Sequence, residues 1–130
     1  VRRPVPQICT DAVLEIAVLT QEAMIDNDVA KARRVEPLED VVDDLKSILR
    51  GRHIERLKMN KCTIELGFMF SDLLTNYERV SDHCSNIAGC VMDTKEQNMN
   101  IHESLKTLRS DSEFYREKYT EYTKKYLSFV

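Results

Sequence analysis

Residues 66–91 read LGFMFSDLLTNYERVSDHCSNIAGCV, and their spacing decides the fold class. Apolar residues recur through this stretch at alternating four-residue and three-residue steps: Leu66, Phe70, Leu73, Tyr77, Val80, Cys84, Ile87 and Val91. Residues at such steps stay on one side of a helix with about 3.6 residues per turn, whereas a strand would need alternation. The spacing predicts a long helix, from Ile64 to about Asp93, that packs lengthwise on other helices.

Two further helices are predicted before this one. The first begins at Thr10 or Asp11, either of which can cap a helix, and runs to about Asp26. The second has Pro37 in its first turn, where the missing N–H costs nothing, and continues past Gly51 to Met59. Its buried stripe is Leu38, Val41, Val42, Leu45, Ile48 and Leu49.

A fourth helix is predicted after a polar turn within residues 93–100. Leu105 and Leu108 lie in its first half, and its second half carries a stripe of tyrosines with inward rings and solvated hydroxyls: Tyr115, Tyr119, Tyr122 and Tyr126. The short connections predict antiparallel neighbours. We therefore expect an all-α, antiparallel up-and-down bundle of three to four long helices that forms one domain over residues 1–130.

Composition excludes several classes of protein. A net charge of −3 without clustered Lys and Arg argues against a nucleic-acid partner. No apolar run approaches the ~20 residues that span a bilayer. The four cysteines lack metal-ligand spacing, which favours free thiols. No nucleophile, phosphate loop or nucleotide motif is present, so we expect no enzyme, and the start at Val1 suggests a piece cut from a longer polypeptide.

Two pairs of carboxylates are the candidates for a binding site. Glu78 and Asp82 lie one turn apart on the third predicted helix, and Glu39 and Asp43 lie one turn apart on the second. Pairs on adjacent antiparallel helices can converge on one cation, and hard oxygen ligands suit magnesium, calcium, manganese or iron. The alternative is a solvated acidic face, in which Lys46 neutralises Asp43. Di-iron helical bundles bind their metals partly through Glu-x-x-His steps. No histidine of this sequence has an acidic residue three positions before it, which argues against a buried di-iron oxidase.

Several segments resemble the PhoU domain. Glu78–His83 and Asn86–Ala88 are similar to its signature, a Glu-Arg-x-x-Asp-His step followed by Asn-Ile-Ala. Residues 38–45 resemble its acidic helix, with Glu39 and Asp43 on the E-x-x-x-D positions. Residues 52–57, 61–62 and 119–126 are most similar to the cytoplasmic C-terminal domain of bacterial sodium/phosphate cotransporters.

The resemblance implies a regulatory role in phosphate transport at the cytoplasmic face of the cell membrane, with the membrane transporter portion of the same polypeptide as a partner. It also implies that Glu39, Asp43, Glu78 and Asp82 bind a divalent or trivalent metal ion, such as iron, zinc, manganese or magnesium, which can bridge to phosphate. The rival hypothesis is a structural protein–protein interaction module without metal. The tyrosine stripe leads us to expect a homo-oligomer in either case.

Overall fold

The computed structural model describes residues 4–96, 113–128 and 130, and every regular element in this part is helical. α1 spans Val5–Asp26, α2 spans Val29–Lys58, α3 spans Ile64–Glu96 and α4 spans Glu113–Tyr122. A π-helical turn, Thr123–Leu127, follows α4 directly. This architecture confirms the all-α bundle. α3 continues to Glu96, so residues 93–96 are helical rather than part of the turn predicted at residues 93–100. The rest of that turn, Leu105 and Leu108 lie outside the described residues.

The first two helices begin earlier than predicted. α1 starts at Val5 with proline in its first turn, rather than at Thr10 or Asp11. α2 starts at Val29, where the Asp28 side chain accepts a hydrogen bond from the Lys31 backbone N–H at 3.2 Å. Pro37 is therefore inside α2, where its ring leaves the carbonyl of Arg33 without a helical donor. Burial of the apolar residues around it, Val35, Leu38, Val41 and Val42, offsets that loss.

Tight connections make α1 and α2, and α2 and α3, antiparallel neighbours. Asn27 takes a left-handed conformation (φ 51°) and ends α1, and the Asp28 backbone N–H then donates to the carbonyl of Ala23. Asn60, also left-handed (φ 55°), lies in the connection from α2 to α3. α2 packs against α1, α3 and α4, which makes it the central helix of the bundle.

The face of α3 that packs against the core differs from the face that the apolar spacing predicted. Leu66, Leu73, Val80 and Ile87 are exposed, whereas Phe70, Tyr77, Cys84 and Val91 are buried or half-buried. The buried face also includes several small residues: Gly67, Ser81, Ser85, Ala88 and Gly89. Small side chains allow α3 to approach its neighbours closely, and one half of the predicted apolar stripe is left at the surface.

The tyrosine stripe of α4 and the π-helical turn faces inward. Tyr122 and Tyr126 are buried, and the Tyr126 hydroxyl donates to Glu15 on α1. Lys125 reaches the same carboxylate oxygen at 2.6 Å. The prediction of solvated hydroxyls is therefore wrong for Tyr126.

Among the described residues, every helix is too short or too polar to span a lipid bilayer.

Candidate metal centre

Three carboxylates of α2 converge on the side of the helix next to its buried stripe. Each of Glu39, Asp40 and Asp43 offers an oxygen, and these oxygens lie within 4.8 Å of one another. Glu39 is only 4% exposed, and the other two are half-buried. We call these three residues the acidic cluster. Asp40 was not among the predicted ligands, although its place one residue after Glu39 and three before Asp43 puts it on the same helical face.

Glu39 holds a proton at neutral pH. Burial, and then the neighbouring charge of Asp43, raise its pKa from the ordinary 4.5 to about 10. The two carboxyls are hydrogen-bonded to each other, so Glu39 donates to Asp43. Sharing one proton lets two adjacent carboxyls occupy a buried position without full repulsion.

Asp43 links the acidic cluster to α3. Burial is the main cause that raises the pKa of Asp43, and the negative charges of Asp82 and Glu78 on α3 raise it further. The hydrogen bond from Glu39 and the positive charge of Lys46 lower it. One oxygen of Asp43, Oδ1, is buried and accepts no hydrogen bond from the residues that the structure describes, since the Lys46 ammonium is 3.9 Å away. An acceptor in this position is available to a cation.

The two predicted ligands on α3, Glu78 and Asp82, lie beside the acidic cluster and differ in their contacts. Glu78 forms an ion pair with Lys46 at 2.7 Å, and this contact lowers the pKa of Glu78. Asp82 is exposed on the next turn, close enough for its charge to act on Asp43. The structure therefore brings Glu39 and Asp43 together, and it places Glu78 and Asp82 at the edge of the group rather than in the tight set of oxygens.

Residues distant in sequence hold the carboxylates in place. The Tyr115 hydroxyl donates to Asp40, and the Tyr119 hydroxyl donates to Asp44 at 2.6 Å. Hydrogen bonds of this kind orient metal-ligating carboxylates in proteins. Spacing within α2 carries no signal for these two partners, because they come from α4.

A further buried carboxylate, Glu36, lies one turn before the acidic cluster. It is 1% exposed, and Ser85 Oγ of α3 lies 2.7 Å and 2.9 Å from its two oxygens. This contact joins residues 49 positions apart, so the local spacing in α2 carries no signal for it. The side of α2 that faces α3 and α4 thus carries Glu36, Glu39, Asp40, Asp43 and Asp44.

The donor set is one that hard cations prefer. Carboxylate and hydroxyl oxygens are the usual ligands of magnesium, manganese and iron, and no cysteine or histidine lies in the acidic cluster. A cation would displace the proton of Glu39 and would compensate the mutual repulsion of the carboxylates. The residues present therefore fit a metal ion.

Comparison with known proteins agrees with the architecture. The family model of the PhoU domain matches residues 9–91, which include both E-x-x-x-D pairs. A relative from Thermotoga maritima, the phosphate-specific transport system accessory protein PhoU homolog 1, is 29% identical over 92 residues. That match covers 71% of this chain but 39% of the relative. No solved structure matches the chain. Since the family model covers more than half of the sequence, the chain belongs to the PhoU domain family.

Proposed function

We propose that this domain is a regulatory module of phosphate homeostasis that binds a metal ion at the acidic cluster and responds to phosphate through that ion. It works without chemistry of its own on a substrate. The observation that carries the proposal is the convergence of Glu39, Asp40 and Asp43, with their oxygens within 4.8 Å of one another. Membership of the PhoU family and the name of the Thermotoga relative support the link to phosphate.

The electrostatics of the acidic cluster favour a cation. Glu39 keeps a proton chiefly because it is buried beside the charge of Asp43, and the Lys46 ammonium, 3.9 Å from Asp43, is paired with Glu78. Additional positive charge would favour the ionised carboxylates. A divalent or trivalent ion would supply that charge. Iron, manganese and magnesium suit the oxygen donors best, and zinc accepts them as well.

Phosphate would join at the open side of such an ion. Asp82 is exposed and Asp40 is half-buried, so the site adjoins the surface. A phosphate group carries two negative charges near neutral pH and would be repelled by the carboxylates alone. Phosphate binding should therefore require the metal.

The module would act on a transporter through contacts between helices. The segments that resemble sodium/phosphate cotransporters favour the membrane portion of the same polypeptide as the partner, with this domain at the cytoplasmic face of the cell membrane. Metal and phosphate would then alter the packing of α4 on α2, because Tyr115 and Tyr119 of α4 hold carboxylates next to the site.

Metal binding can be tested by thermal melting of the metal-free chain with magnesium, manganese, zinc and iron. A ligand at a hundredfold excess over its dissociation constant stabilises the folded state by about 2.7 kcal/mol. Asp43→Asn should abolish the rise in melting temperature. The matched control is Glu65→Gln, an exposed carboxylate in the first turn of α3, and it should leave the rise intact.

The double variant Glu78→Gln with Asp82→Asn tests whether the α3 carboxylates belong to the ligand set. Full loss of the metal response would place them among the ligands, and a retained response would restrict the site to α2. If no metal shifts the melting of the unmutated chain, the metal proposal fails and the interaction module is the better account. Phosphate titration with and without the bound metal then tests the phosphate step separately.

A further inference from the structure

α3 carries a second, outward seam that its packing inside the bundle does not use. Taken as a heptad repeat, its a positions are Leu66, Leu73, Val80 and Ile87, and its d positions are Met69, Asn76, His83 and Cys90. All eight residues are exposed. We call them the outward seam. Its five large apolar side chains are between 38% and 68% exposed: Leu66, Met69, Leu73, Val80 and Ile87.

A repeat of this kind is the pattern by which two helices pair along their length. Side chains at a and d of one helix insert between those of a partner helix, and a stripe without a partner leaves them in water. The outward seam extends over 25 residues, from 66 to 90, or about 36 Å of helix. Scattered exposed apolar residues need no explanation. Here every a position is apolar and Met69 occupies one d position, so the regular spacing favours a weakly held helical partner.

Charges beside the seam indicate which partner fits. Asp72 and Arg79 occupy successive g positions, one residue before Leu73 and Val80. Both are exposed, and within the described residues neither forms an ion pair. In an antiparallel coiled coil, the g positions of the two helices face each other across the seam. Two copies of α3 can therefore place Asp72 of each copy opposite Arg79 of the other.

That pairing also sets the register. With Asp72 opposite Arg79, the two-fold axis passes between Leu74 and Thr75. Leu73 of one copy then packs against Asn76 of the other, Met69 packs against Val80, and Leu66 packs against His83. The two helices overlap over residues 66–83 of the outward seam, and Ile87 and Cys90 lie beyond the start of the partner's α3. In a parallel pair, g positions face the partner's e positions, which are Tyr77 and Cys84 here, so neither Asp72 nor Arg79 would meet an opposite charge.

We propose that the outward seam of α3 is a homodimer interface, in which two copies of this chain pair antiparallel with Asp72 and Arg79 in reciprocal contact. The interface is small and has polar residues at d, so a weak dimer is expected, with a dissociation constant on the order of 10⁻⁵ to 10⁻⁴ M. This surface differs from the tyrosine stripe that first suggested self-association, since the stripe faces inward. The proposal is independent of metal or phosphate binding.

Charge reversal with sedimentation equilibrium, at chain concentrations up to about 1 mM, tests both the surface and the register. Arg79→Asp places Asp72 opposite an aspartate, and Asp72→Arg places two arginines together, so each variant alone should weaken the dimer about tenfold or more. The double variant, Asp72→Arg with Arg79→Asp, should restore it. Circular dichroism confirms that each variant is folded.

Mixing the two single variants gives the sharpest readout. Each variant repels itself, yet an antiparallel heterodimer of the two has opposite charges at both contacts, so the mixture should dimerise where neither component does. Lys61→Asp, in the connection before α3, changes the net charge by the same amount as Arg79→Asp and serves as the control. It should leave the dimer unchanged.

Three results would overturn the proposal. The unmutated chain could stay monomeric at 1 mM, which would mean that another protein or another part of a longer chain covers the outward seam. A dimer could form but survive Leu73→Asp, which would place the interface elsewhere. The mixture of single variants could fail to associate although the unmutated chain dimerises, which would exclude the antiparallel register.

Discussion

Replacing the Glu39 carboxyl by an amide should stabilise the metal-free domain at neutral pH. Glu39 is buried, and its proton is bound more tightly in the folded chain than in the unfolded one, with a pKa of about 10 against 4.5. A glutamine has nearly the same shape as a protonated glutamate, and its amide can donate to Asp43 in the same way. Glu39→Gln therefore keeps the contact and removes the titration.

The size of the effect follows from linkage between proton binding and folding. Below pH 4.5 the carboxyl is protonated in both states and affects stability little. Above that value the unfolded chain releases the proton while the folded chain retains it, so stability falls by about 1.4 kcal/mol per pH unit. The penalty reaches about 3 kcal/mol at pH 7, and Glu39→Gln relieves it. For a chain of 130 residues this corresponds to roughly 10 °C in melting temperature.

Urea unfolding of both proteins, without metal, at pH 5 and pH 7 measures this difference. The variant should be more stable by about 3 kcal/mol at pH 7 and by under about 1 kcal/mol at pH 5. Glu65→Gln is the control, since its carboxyl is exposed. An equal difference at the two pH values, or a variant less stable than the unmutated chain at pH 7, would refute the protonated state of Glu39.

Three further predictions concern the packing of α2 and α3. Gly51→Ala should stabilise the fold by up to about 1 kcal/mol, because no atom of the described residues lies within 4 Å of the added methyl group. Gly67→Ala should destabilise it by about 1–3 kcal/mol, since the methyl group would lie 2.9 Å from Nε2 of the buried His53. Equal effects in thermal melts of the two variants would contradict this packing. Ser85→Ala removes a donor to the buried Glu36 and should cost about 1–3 kcal/mol in urea unfolding, and a loss below 0.5 kcal/mol would contradict that contact.

The sequence predicted helices well and helix faces less well. Apolar residues at three-residue and four-residue steps identify a helix, but such steps can be traced along two neighbouring faces of α3. Spacing alone therefore does not show which face is buried. The structure buries the face that holds Ser81, Ser85 and Ala88, because small residues permit close approach of helices. Hydrophobicity alone favoured Leu73 and Val80, which lie at the surface.

Pro37 shows why the start of α2 was misplaced. Proline is favoured in the first turn of a helix, so it was a reasonable start signal. The helix instead begins at the Asp28 cap, since residues 29–35 contain no breaker and two of them, Ala32 and Val35, are buried. Tertiary burial outweighed the loss of one backbone hydrogen bond.

The candidate site was predictable only in its local part. Glu39 and Asp43 were found because four-residue spacing places two side chains together on any helix. Asp40, three residues before Asp43, carried a comparable local signal and was missed. Tyr115 and Tyr119 carried none, since their contacts span 75 residues of sequence. Burial, which raises the pKa of Glu39, depends on how the helices pack and has no local signature.

The central claim, that the acidic cluster binds a metal ion, is tested most directly by calorimetric titration of the metal-free chain with manganese in two buffers of different ionisation enthalpy. Binding should release close to one proton per ion at pH 7, because the ion displaces the proton of Glu39. Glu39→Gln and Asp43→Asn should each remove binding, and Glu65→Gln should preserve it. Absence of binding to the unmutated chain, or binding of equal strength to Asp43→Asn, would contradict the claim.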